Sequence, residues 1–112
     1  MRELDDKNGN DREVKSKICS FCDAPLHVDL TRTASTDMGL IPLTKAALLA
    51  AVKEHVSTGR RLFTDRMDNM DTAYIVSECL VDGDAVYVKV KFFQLNGEER
   101  MLVISSHPPR RW

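Results

Sequence analysis

The sequence predicts an α+β fold, with two or three helices packed on a curved antiparallel sheet. Three observations carry this reading. Residues 45–56 form an alanine-rich stretch with one apolar stripe. Residues 73–107 hold three alternating segments separated by Asp82-Gly83 and Leu95-Asn96-Gly97. The helical patterns come first and the strands last, an order that favours α+β over alternating α/β units.

Taken in chain order, residues 1–11 have Met1 and Leu4 as their only apolar side chains and carry the breaker Asn8-Gly9-Asn10; they are expected to be a mobile lead. Residues 12–112 are expected to form one α+β domain. Val14, Ile18, Phe21 and Cys22 are spaced for a helix, which Pro25 ends. His27 to Thr33 alternates weakly and reads as a short strand. Thr44 is a good N-cap for the helix over 45–56, which places Leu48, Leu49, Val52 and Val56 on one stripe, with Gly59 past its end. His55 falls on the polar side of that helix. The stretch 60–72 is dense in charge, with Met67 and Met70 as its apolar anchors.

Closing Asp82-Gly83 as a two-residue turn sets Cys79 opposite Val86, Ser77 opposite Val88 and Ile75 opposite Val90. That apolar face should meet the helices, which makes Cys79 a packing residue. A three-residue Leu95-Asn96-Gly97 loop then sets Leu102 opposite Val90 and Ile104 opposite Val88, and leaves His107 a diagonal neighbour of Tyr87. The other face collects Glu78, Tyr87, Lys89, Lys91 and His107.

The chain has 112 residues and a mass of 12.7 kDa, enough for one domain. It holds 16 Lys plus Arg against 17 Asp plus Glu, a formal charge of −1, so it is neither a polybasic arm nor an acidic tail. The residues from Ala85 to Trp112 nevertheless carry a charge of +3, which attracts phosphate. No stretch approaches the ~18 apolar residues of a membrane span, so no membrane partner is expected. An odd cysteine count and the lack of an apolar leader point to reduced thiols in the cytoplasm.

The segment Val86-Tyr87-Val88-Lys89-Val90, followed by Leu102-Val103-Ile104-Ser105-Ser106-His107, resembles the C-terminal half of MqsR-type toxins, bacterial mRNA interferases with a RelE-like α+β fold. Glu13-Val14-Lys15-Ser16-Lys17-Ile18 is similar to that family's opening helix. Leu30-Thr31-Arg32-Thr33-Ala34, then Asp37-Met38-Gly39-Leu40, is similar to its T-R-[ST]-A and LGL stretch. The resemblance spans roughly residues 12–107. It implies a metal-independent endoribonuclease, the toxin of a toxin–antitoxin pair, with RNA and a neutralising antitoxin protein as partners. The oligomeric state stays open. The departures are specific. Phe63-Thr64-Asp65-Arg66-Met67 stands where the family has F-Y-K-S-M, with Arg66 one position from the lysine. His107 replaces a final-strand lysine, and a family glutamine has no clear match.

Cleavage by 2′-hydroxyl attack needs a base, an acid and cations for the phosphorane charge. His107 can serve as acid or base near neutral pH. Glu78 is a candidate base, and Tyr87 can stack or donate its hydroxyl. Lys89, Arg66, Lys91 and Arg110 are candidate RNA-binding cations. The plainer reading of the same residues is a solvated antiparallel face of ordinary cross-strand pairs. No cofactor is expected, with zinc left open at Cys19 and Cys22, whose spacing is half of a structural zinc site. The alternative of another class is therefore a non-enzymatic, zinc-stapled module that binds protein or nucleic acid.

Overall fold

The alternating valines of residues 86–90 must bury one edge row wherever the chain puts them, and the sheet is arranged to do so. The computed structural model of the chain describes residues 1–40, 43–67, 71–81 and 83–107. In chain order these form β1 (Arg2–Glu3), α1 (Gly9–Cys22), a 3-10 turn at Pro25–His27, β2 (Val28–Leu30), α2 (Arg32–Leu40) and α3 (Lys45–Ser57). Then come β3 (Leu62–Arg66), β4 (Thr72–Val81), β5 (Asp84–Leu95) and β6 (Glu98–His107). The strands make one sheet in the order β1-β3-β4-β5-β6-β2, antiparallel throughout except where β2 runs parallel to β6. The α+β expectation holds: three helices pack against a six-stranded, mostly antiparallel sheet.

Each helix is started by a side chain that supplies a missing acceptor. Asn8, read from sequence as a breaker, is the N-cap of α1, accepting from the amides of Asn10 and Asp11. Thr44 caps α3 through the Ala47 amide at 3.1 Å. Leu48, Leu49, Val52 and Val56 of α3, Ile18 of α1, and Ala34 and Met38 of α2 join Val86, Val88 and Val90 in one core cluster. Gly59 closes α3 at φ +76°, a conformation in which any Cβ is strained.

Three elements were not legible as such. The strand expected over residues 27–33 is only Val28–Leu30, and Arg32 and Thr33 instead open helix α2. The expected mobile lead carries an edge strand: Leu4 is buried, and its amide bonds the Leu62 carbonyl at 2.8 Å. The anchor is Asp11, whose carboxylate takes two bonds from the Arg2 guanidinium at 2.7 and 2.9 Å and one from the Asp5 amide at 2.9 Å. The charge-dense stretch 60–72 holds strand β3, whose Leu62 pairs with Val76 in the core. Met67 follows that strand, and Met70 lies outside the described residues.

The expected strand registers are corrected by one residue between β4 and β5 beyond a bulge, and by one and then two residues between β5 and β6. Cys79 faces Val86 as expected, but Val76 faces Val88 and Tyr74 faces Val90. A β-bulge sets Ser77 and Glu78 together opposite Tyr87, with Glu78 at φ +56°. The cause is spacing. Val76 and Cys79 are both fully buried, and residues three apart share a strand face only if one extra residue lies between them. Tyr74 therefore packs beside Phe92 on the helix side, ring centroids 5.5 Å apart.

The second loop is the two-residue one, since Leu95 pairs with Glu98. Asn96 and Gly97 take φ of +52° and +79°, the geometry of the tight hairpin turn whose twist matches the strands. This puts Met101 and Val103 in the core in place of the expected Leu102 and Ile104. A second bulge at Ile104 then restores the parity, so Ser105 faces Lys89 and His107 faces Tyr87.

His55 is a further correction. It is 3% exposed, not solvated, and its Nε2 lies 2.6 Å from the Arg61 carbonyl. A carbonyl only accepts, so Nε2 carries the proton and donates, which leaves Nδ1 as a buried acceptor with no partner among the described residues. Burial, together with the Arg60 charge, lowers its pKa; the Arg61 bond opposes the shift.

Three outcomes are expected. Leu48→Ala, which empties a fully buried site, should cost about 2–5 kcal/mol in chemical denaturation; a loss within about 0.5 kcal/mol, the range of ordinary surface changes, would take Leu48 out of the core. The Asp11 pKa is held down to about 2, first by the Arg2 bonds and then by the Asp5 amide. Its contribution is thus complete above the ordinary carboxylate pKa and is lost as pH falls through about 2. Asp11→Asn should raise hydrogen exchange at the Leu4 amide at neutral pH, and unchanged exchange would refute the anchoring role. For His55 the folded pKa is depressed, so stability is complete above its ordinary value and declines as pH falls below it. Thermal melts of the parent should show that decline, and His55→Gln melts should show less of it.

Candidate functional site on the outer face of the sheet

The residues of β5 that alternate with the core valines are Tyr87, Lys89, Lys91 and Phe93. Register carries their face outward on both sides. Ile75 and then Phe63 extend the row through Lys89, while Ala73 and Asp65 extend the next one. On β6 the same face takes Arg100, Leu102, Ser105 and the backbone position of His107. Ala73 and Ile75 are buried yet stand apart from the core cluster, which holds the buried apolar side chains of all three helices. The sheet thus has a thinner apolar layer on this side, and the helices pack on the other.

The expected site residues separate as follows. Tyr87 and Lys89 share this face, and the backbone of His107 is the direct cross-strand partner of Tyr87, at the ~4.5–5.5 Å of opposed antiparallel residues. Glu78 is exposed at the bulge opposite Tyr87, and its carbonyl accepts from Arg60. Lys91 is on the face but is paired with Asp71 at 2.8 Å. Arg66 alternates with Asp65, so it follows Leu62 and Thr64 to the other side of β3 and does not join Lys89. Arg110 lies outside the described residues.

Asp65 was missed from sequence because its segment was not recognised as a strand. Alternation within β3 puts it on the face with Phe63, and it stands where the resembled family has a lysine. Its carboxylate acts on Tyr87: burial first, and then Asp65, raise the phenol's pKa. Tyr87 therefore stays protonated at neutral pH, a hydrogen-bond donor and not a phenolate. Arg100, the third cation of the face, is held by Asp29 through a forked pair at 2.8 and 3.1 Å. Among the described residues, Lys89 is the one cation of this face with no ion-pair partner.

The cysteines are three free thiols. Cys19 and Cys22 sit one turn apart in the last part of α1, and Cys79 is in the core. Burial, then the neighbouring Cys19, pushes the Cys22 thiol up to about 12; burial pushes Cys79 up to about 11. Thiols so protonated are poor nucleophiles, and a metal has to displace their protons. Among the described residues, no three His, Cys, Asp or Glu side chains gather as ligands. The imidazole of His27, in the turn after α1, pairs with Glu98.

A hollow of about 540 Å³ opens elsewhere, between the N-terminal segment and the corner after α3. Two ion pairs lie along it, Lys15 with Asp6 and Arg61 with Glu3, and Asp5, Lys7 and Arg60 add further charge of both signs. The outer sheet face is the better candidate on chemistry. No family model, curated protein or solved structure matches the chain, so the resemblance rests on the residue pattern alone.

Among the described helices none is long and apolar enough to cross a membrane.

Proposed function

We propose that the outer face of the sheet binds RNA and cleaves it without a metal, and that the chain is an mRNA interferase of the toxin–antitoxin kind. One observation carries the reading. The second bulge puts His107 directly across from Tyr87, with Lys89 two residues along the same face. A proton-transfer group, a protonated phenol and an unpaired cation are what 2′-hydroxyl attack on a phosphodiester requires.

On this reading the His107 imidazole takes the 2′-hydroxyl proton, Tyr87 donates to the departing 5′-oxygen, and Lys89 holds the phosphorane charge. Glu78, opposite Tyr87 at the first bulge, is the alternative base. The partner is an antitoxin protein that neutralises the toxin, and the place of action is the cytoplasm. A second reading, an RNA-binding face that does not cleave, is favoured by Asp65 and by the pairing of Lys91 and Arg100 with acids. Those acids leave little spare positive charge for a transition state.

The deciding measurement is cleavage of a long mRNA in EDTA. The parent should cut, and His107→Ala should cut about 10²-fold or more slowly, the usual worth of a positioned acid or base. Tyr87→Phe and Lys89→Ala should also slow cleavage without lowering the thermal melt, since neither belongs to the core cluster. Parent-like cleavage by His107→Ala would remove that residue from the mechanism. A parent that neither cuts RNA nor arrests growth would end the interferase reading.

A further inference from the structure

The Tyr87 face carries two half-buried aromatic rings that the proposed chemistry does not use, Phe63 and Phe93. Phe93 is four residues from Lys89 on the same side of β5, about 13 Å along the strand. Phe63 lies in the row Phe63, Ile75, Lys89 that crosses β3, β4 and β5, about 10 Å from Lys89 at two strand spacings. Neither ring belongs to the core cluster or packs against it. The structure thus sets two aromatic rings about an unpaired lysine on a sheet face that the helices leave to the other side.

From this placement we infer that Phe63 and Phe93 are stacking subsites for the unpaired bases of single-stranded RNA. The inference deepens the reading above and rests on the same face. Charge and stacking can be ranked as sources of affinity. Lys91 and Arg100 are tied to Asp71 and Asp29, and Asp65 adds a negative charge. Among the described residues of this face one lysine remains for phosphate, so they supply about one electrostatic contact. Stacking on an aromatic side chain strengthens binding by about 5- to 150-fold per base, whereas a lone phosphate contact weakens as salt rises. Stacking therefore dominates, and it demands bases that are free of a duplex. Bases stacked inside a duplex cannot lie on rings set into a sheet, so the face selects against double-stranded RNA.

The test uses the full-length His107→Ala chain, so that the probe survives, and a fluorescent 12-nucleotide RNA of unstructured sequence read by anisotropy. Phe63→Leu and Phe93→Leu keep the apolar layer but remove the rings; each should weaken binding about 10-fold. The Phe→Tyr changes, which keep a ring, should restore it. The same sequence as a duplex should bind at least about 10-fold more weakly. The plot of log affinity against log salt should have a slope near −0.7, one phosphate on a single strand, and Lys89→Ala should flatten it.

The inference is overturned if both Leu variants bind like the parent, if the duplex binds as well as the single strand, or if the single strand does not bind. A slope of about −2 or steeper would show charge in control and overturn it as well. Failure of the cleavage reading looks different: the native chain then binds the probe through Phe63 and Phe93 but leaves long RNA intact in EDTA. The reverse result, cleavage by the native chain with parent-like binding by both Leu variants, removes the subsites and leaves the chemistry standing.

Discussion

The burial of Val86, Val88 and Val90, each 2% exposed or less, is the constraint that both neighbouring strands are bent to meet. β5 is flanked by a strand on each side along most of its length, and it keeps strict alternation while its neighbours do not. β4 inserts an extra residue at Ser77-Glu78 and β6 inserts one at Ile104. The first lets Val76 and Cys79 face inward together. The second lets Met101, Val103 and Ser106 do so. Both irregularities fall beside the same part of β5, at Tyr87, Lys89 and Val90. A bulge bends its strand and sharpens the local twist, so the outer face is most curved where the candidate chemistry sits. Packing demands on one side of the sheet thus shape the surface on the other.

What could be read from sequence follows the strength of the local signal. The alanine-rich helix, its Thr44 cap and the three long strands all have short-range causes, and all stand as expected; Asp82 of the expected Asp82-Gly83 turn lies outside the described residues. Strand β3 was missed because its few apolar residues lie among Arg60, Arg61, Asp65 and Arg66. The edge strand β1 was missed because Asp11, nine residues from Arg2, supplies its anchor, and composition does not report a fold-back. The bulges were missed for a different reason. Alternation is a rule about runs, and an extra residue is visible only once the strand opposite is known.

His107 illustrates how such omissions can cancel. Reading the second loop as three residues sets β6 one place off, and omitting the bulge at Ile104 sets it a second place off in the same direction, which restores the face. The two together leave His107 on the Tyr87 side. The structure reaches that position with a tighter turn and an extra residue, and it makes His107 a direct partner where the sequence reading had a diagonal one. The core assignments between the loop and the bulge do differ: Met101 and Val103 go in, and Leu102 goes out to face Lys91.

The electrostatics of the outer face decide how far the resemblance to the interferases can extend. A positive C-terminal third is visible in composition, but composition cannot show which charges are paired. Among the described residues, Lys91 and Arg100 hold carboxylates, whereas Lys89 does not. The Lys91–Asp71 pair joins a half-buried lysine to an exposed aspartate, and exposed ion pairs are worth only about 0–1 kcal/mol. The Arg100–Asp29 fork is better made, because two parallel bonds fix one geometry and Arg100 also donates to the Leu26 carbonyl. Arg100 thus serves to tie β6 to β2 and the turn before it. On the proposed reading, the positive charge that this face offers a phosphate, among the described residues, is that of Lys89, with Asp65 opposing it. Asp65 is accordingly the departure with the largest consequence, since it puts a negative charge where the resembled family has a positive one, close enough to act on the Tyr87 phenol that the proposed reading makes a proton donor.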